Sequence, residues 1–143
     1  MFQEKSCGAV VFLRQDAQAK YLLLNYSANR WDFVKGGVEF HESEKETVTR
    51  ELREETGITD AHFIDGFRLS IEYFYRRQNG TVHKVVALYI MEAHSEKVQL
   101  SFEHEGFIWL DYEQAIEKLS FKNGKDVLHK AHAFLMKNGI VKE

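Results

Sequence analysis

Glutamates 51, 54 and 55 fall in the run Arg50-Glu51-Leu52-Arg53-Glu54-Glu55-Thr56-Gly57-Ile58, preceded by Gly36 and Glu42. In a helix beginning near Ser43, Glu51 and Glu55 lie one turn apart, and Glu54 sits about 60° round the axis from Glu51. Like charges at these spacings destabilise a helix by about 0.2–0.5 kcal/mol per pair, so the crowding calls for a compensating charge. Clustered hard oxygen ligands are what Mg²⁺ or Mn²⁺ takes, usually together with substrate phosphates. Taken alone, the same run also reads as a solvated acidic helix face with Arg50 and Arg53 as ion-pair partners.

The local grammar supplies elements to hold these acids. Ser43 followed by Glu46 reads as a capping box, and Gly57 stands where a helix ends in a left-handed residue, so a helix is expected over Ser43–Thr56. Val48 and Leu52 form an apolar stripe that pins it to a sheet beside the acids. Trp31-Asp32-Phe33-Val34 reads as a short strand, and Lys35-Gly36-Gly37 as a turn whose glycines let backbone approach metal or phosphate closely. Further strands are expected near Ser6–Arg14, Lys20–Tyr26, His62–Arg77, Val82–Ala93 and Gly106–Leu110, with a hairpin turn on Asn79-Gly80. Helices are expected over Tyr112–Leu119 and Asp126–Lys137. Strands mixed with helices on both sides predict an α/β fold, an α/β/α sandwich around a mixed sheet.

With 143 residues, 44% of them hydrophobic, the chain suits a single domain, 1–143, with a full core. Net charge is −3 with acids and bases interspersed, and there is no basic stripe of the kind that marks a nucleic-acid binder. Cys7 is the only cysteine and reads as a buried strand residue, consistent with a reducing compartment. No apolar run reaches membrane-spanning length and no signal-peptide pattern opens the chain, so the expectation is a cytoplasmic protein acting on a small substrate. Proline is absent, which leaves glycine and polarity to mark the loops.

Gly36 to Ile58 resembles the signature of the Nudix hydrolases, G-x5-E-x7-R-E-U-x-E-E-x-G-U with U aliphatic, and every fixed position is filled. The flanks extend the resemblance. Trp31-Asp32-Phe33-Val34-Lys35-Gly36-Gly37-Val38-Glu39 is similar to the W-D-F-P-K-G-H-V-E lead-in of the diadenosine tetraphosphate hydrolases of animal and archaeal type. Leu100-Ser101-Phe102-Glu103-His104, followed by Trp109-Leu110, is similar to that group's L-S-x-E-H-x-x-x-x-W-L. Three positions depart from the pattern: Val34 replaces proline, Gly37 replaces histidine, and His41 stands where a turn glycine is common and positive φ costs a histidine more.

The resemblance implies a sandwich fold and metal-dependent hydrolysis of a pyrophosphate link, with diadenosine tetraphosphate giving ATP and AMP. Two to three Mg²⁺ or Mn²⁺ ions would neutralise phosphate charge and activate water. Glu51 and Glu55 are implied metal ligands, Glu54 a direct or water-mediated one, and the Lys35 carbonyl a further one. Arg50 would orient Glu51, and Glu42 would tie the loop to the helix. Glu103 is the implied general base or an additional ligand. Tyr73, Tyr75 and Phe121 are candidates to stack adenine, and Lys84 and Lys35 to contact phosphate; core packing or a solvated surface is the alternative for each. Histidines 83, 104, 129 and 132 show no zinc grouping with cysteine and are expected at the surface or in packing. Other activities of the family remain open: nucleoside-triphosphate sanitation, ADP-ribose cleavage and RNA 5′-end trimming. So does a nucleotide-sensing module without turnover, and the oligomeric state is left undetermined.

Overall fold

Residues 6–13 are buried without a break, because β1 (Phe2–Gln15) runs through the centre of the sheet with helices over both faces. The computed structural model describes residues 1–142. Along one edge of β1 runs β7 (Gly80–Ala93), parallel to it from Phe2↔Val82 to Phe12↔Glu92. The other edge is shared by two antiparallel partners. β2 (Gln18–Asn25) takes Phe12 to Gln15, and β4 (Val34–Gly37) takes Ser6 to Ala9. β3 (Trp31–Asp32) and β8 (Gly106–Leu110) pair with β2, while β5 (Ala61–Phe63) and β6 (Leu69–Arg77) pair with β7. One parallel and several antiparallel pairings make the expected mixed sheet.

Strand alternation splits the core into two layers. Cys7, Ala9, Val11, Val34 and Ala87 face α1 (Glu44–Thr56), whose Val48 and Leu52 pack on them. Val10, Phe12, Val86, Leu88 and Ile90 face α2 (Tyr112–Lys118) and α3 (Lys122–Lys137). The result is the α/β/α sandwich. Among the described residues no helix is long and apolar enough to cross a membrane.

Four expectations need correction. The strand expected over His62–Arg77 is two strands, because Gly66 at φ 96° turns the chain between β5 and β6, and each then pairs with a different stretch of β7. Lys35-Gly36-Gly37 is strand, not turn: it is hydrogen-bonded to β1 in the register Gly8↔Lys35, Cys7↔Gly36 and Ser6↔Gly37. α3 starts four residues before Asp126, since the missing side chain of buried Gly124 lets its first turn lie against Leu119 and Phe33. The hairpin turns on Gln78-Asn79, with Arg77 opposite Gly80.

Candidate active site

β4 lies between the two sets of side chains expected to do chemistry. Its residues alternate, so Gly36 faces α1 while Lys35 points to the other side of the sheet. A Cβ on Gly36 would lie 2.1, 2.2 and 2.5 Å from the carboxyl atoms of Glu51. Only glycine therefore lets the strand meet that carboxylate. Both ends of α1 are capped as expected. Ser43 Oγ accepts from the Glu46 amide at 3.1 Å, the Glu46 carboxylate accepts from the Ser43 amide at 2.8 Å, and Gly57 sits at φ 74°.

Arg50 gathers the acids on the exposed side of this helix. Its guanidinium donates to Glu42 at 2.6 and 3.1 Å, to Glu51 at 2.8 Å, to Glu54 at 2.9 Å and to the Gly37 carbonyl at 2.8 Å. Glu42 also accepts from the Thr47 hydroxyl and the Glu39 amide, so it ties the loop between β4 and α1 to the helix. Its carboxyl pKa falls to about 2, chiefly through the bonds from Arg50 and from the Glu39 amide. His41, in that loop, has φ 67°, the left-handed backbone for which glycine is the cheaper residue.

Glu55 is the buried member of the cluster, 5% exposed. Burial, with the Glu51 carboxylate beside it, pushes its pKa far above the usual carboxylate range. Its Oε1 accepts from Tyr26 Oη at 3.2 Å and lies 3.3 Å from His104 Nε2. Its Oε2 is buried with no hydrogen-bond partner among the described residues. Tyr26 Oη also donates to the Phe33 carbonyl at 2.5 Å, which clamps the start of β4 to the end of α1. His104 is enclosed against the Tyr26 ring, with Ser101 Oγ 3.0 Å from its Nδ1, and burial lowers its pKa. It is a packed residue, as expected from sequence, and it packs beside the Glu55 carboxylate. Glu103 is exposed on the loop that Ser101 fastens to the Glu55 carbonyl at 3.2 Å, and its charge contributes to the raised Glu55 pKa.

Behind β4 a cavity of about 360 Å³ opens between the sheet and α3. Lys35, Tyr73 and Phe121 line it together, and Asn123 and Gly124 join them from the first turn of α3. Asp32 holds the Lys35 ammonium at 2.8 Å. Tyr75 and Lys84 are not in the lining. Tyr75 lies on the Tyr73 face with its ring 6.4 Å away and donates to Glu4 at 2.7 Å. Lys84, cross-strand partner of Tyr73, is 3.9 Å from Glu4, and its pKa is lowered by burial and then by Lys35.

Comparison with known proteins matches residues 5–131 to the NUDIX domain. The chain belongs to the NUDIX family. Over 141 residues, covering 92% of this chain and 95% of the relative, it is 33% identical to the asymmetrical bis(5′-nucleosyl)-tetraphosphatase of Mus musculus. The enzyme of the same name from Sus scrofa is likewise 33% identical, with the same coverage. Among solved structures, an Ap4A hydrolase of C. elegans in a binary complex superposes with a TM-score of 0.82 at 27% identity, covering 94% of this chain and 98% of that one. The NUDIX domain here is a hydrolase of the phosphoric anhydride class.

NUDIX hydrolases work with divalent cations such as Mg²⁺, and the residues present suit one. Glu55 Oε2 is an orphaned buried oxygen, Glu51 stands beside it, and the donors are all hard. Among the described residues no three histidine, cysteine, aspartate or glutamate side chains are already gathered as a metal site. Arg50 engages Glu51 and Glu54, because mutually repelling carboxylates take the nearest cation. Sequence reasoning missed Tyr26, Asp32 and Asn123. Tyr26 reaches Glu55 across 29 residues, a contact with no local signature. Asp32 was within reach, since the i,i+3 spacing to Lys35 pairs an acid with a base.

Proposed function

We propose that this protein hydrolyses diadenosine tetraphosphate asymmetrically, to ATP and AMP. The supporting observation is the placement of a largely apolar cavity and an acid cluster on opposite faces of one short strand. Tyr73 and Phe121 offer rings to an adenine, and stacking on such rings contributes about 1–3 kcal/mol per base. Lys35, held by Asp32 at the cavity wall, meets the first phosphates, and Lys84 adds positive charge one strand away. The phosphate chain then passes the edge of β4 to Glu51 and Glu55.

Glu51 and Glu55, with Glu54, Glu103 and the Lys35 carbonyl as further oxygens, would hold divalent cations, which supply charge neutralisation and Lewis acidity at the phosphates. Arg50 fixes the Glu51 carboxylate, and Tyr26 and His104 fix that of Glu55. Glu103 takes the proton of the attacking water as the new O–P bond forms and the bridging P–O bond breaks. Because the base is seated at one end, the site counts phosphates from that end and cuts off centre. A panel of diadenosine tetraphosphate, ADP-ribose and an oxidised deoxynucleoside triphosphate, with Mg²⁺ and chromatographic separation of products, tests the assignment. The tetraphosphate should be cleaved with the highest kcat/KM; rapid cleavage of either of the others in its place would overturn the substrate.

A further inference from the structure

The cavity behind β4 is lined by apolar side chains and by only four polar ones, those of Asp32, Lys35, Tyr73 and Asn123. Two of the four are spent on one another: Asp32 Oδ2 accepts from the Lys35 ammonium at 2.8 Å, and its Oδ1 accepts from the Phe33 amide at 2.8 Å. A Tyr73 ring that stacks on a base carries its hydroxyl in its own plane, parallel to the base and clear of its edge. Asn123 is left, and its side-chain amide has no hydrogen-bond partner among the described residues. Its place in α3 gives that amide a fixed mount. Phe121 occupies the cap position, so Asn123, two residues on, does not serve the capping role for which asparagine is favoured, and inside a helix asparagine is among the poorer formers. Buried Gly124 beside it packs the first turn against Leu119 and Phe33, so the Phe121 ring and the Asn123 amide ride on a segment held to the core.

We propose that Asn123 reads the base that stacks on Tyr73 and Phe121 and selects adenine over guanine, its amide oxygen accepting from N6 and its amide nitrogen donating to N7. This rests on the substrate reading above and deepens it. Aromatic faces stack on every base, so the two rings alone select none. A side-chain amide offers one donor and one acceptor side by side, which matches the N6 donor and N7 acceptor of adenine. Guanine presents two acceptors there, O6 and N7, and its O6 would face the amide oxygen. A good bidentate pair of this kind discriminates against the wrong base about 5- to 150-fold.

Steady-state kinetics in Mg²⁺ test this on the wild type, Asn123→Ala and Asn123→Asp, with diadenosine tetraphosphate, diguanosine tetraphosphate and the 7-deaza analogue of the adenine compound, in which C–H replaces N7. Asn123 is exposed, so both variants should unfold no earlier than the wild type. The wild type should prefer adenine to guanine in kcat/KM by about 5- to 150-fold and should lose activity on the 7-deaza analogue. Asn123→Ala should bring adenine and guanine within about twofold of each other and abolish the 7-deaza penalty. Asn123→Asp keeps the acceptor for N6 but sets an oxygen against the N7 lone pair, so it should prefer the 7-deaza analogue to the parent, reversing the wild-type order. A wild type without base preference, or adenine-to-guanine and 7-deaza ratios unchanged in either variant, would overturn the role of Asn123. Failure of the wild type to cleave any of the dinucleoside tetraphosphates would instead bring down the substrate reading on which it rests.

Discussion

At the scale of single residues, Glu55 is placed at a cost to the metal-free protein. Its carboxyl holds a proton more tightly folded than unfolded, so its contribution to stability is complete below the unfolded value of about 4.3 and is lost as pH rises through the raised folded value. Metal-free protein should therefore lose stability across the neutral range. Glu55→Gln removes that titration, and thermal unfolding in chelator at pH 8 should show the variant about 4 °C or more above wild type, the shift that about 1–2 kcal/mol produces in a chain of this size. The same variant should lose kcat by orders of magnitude in Mg²⁺, because the neutral amide cannot match the cation's charge. A variant that unfolds no later than wild type in chelator would mean that Glu55 is not destabilising there. Gly36 gives a companion test of the site's geometry. Gly36→Ala puts a methyl group onto the Glu51 carboxylate, which must move, and steady-state kinetics should show kcat reduced about 100-fold or more with only a small change in Tm.

At the scale of elements, α1 carries three of the acids, and its ends decide where they stand. Gly57 at φ 74° closes it, and a Cβ there would meet nothing nearer than Gln99 Cβ at 3.4 Å. Gly57→Ala thus isolates backbone strain from collision, and denaturant unfolding should show a loss of about 1 kcal/mol with an unchanged m-value. This helix was legible because its signals are local: Ser43, Glu46 and Gly57 act within one turn of the residues they cap. β4 was not, since two glycines argue for a turn until pairing with β1 and the Glu51 carboxylate require a strand without side chains. The Tyr26–Glu55–His104 contacts were also hidden, because they join three elements far apart in the chain. For Tyr73 and Tyr75 the period of two correctly put both on one face, but it could not show which of them the cavity reaches.

At the scale of the whole molecule, β4 stands between the cavity under α3 and the acid cluster on α1. On the proposed reading a base seats in that cavity and phosphate chemistry takes place beside α1, and this division would set the register of the cut. It is tested most directly by hydrolysing diadenosine tetraphosphate with Mg²⁺ in ¹⁸O-enriched water and resolving the products by mass spectrometry. The expected result is ATP and AMP in equal amounts, with the label confined to one of the two. Two molecules of ADP, or unchanged turnover in excess chelator, would contradict it.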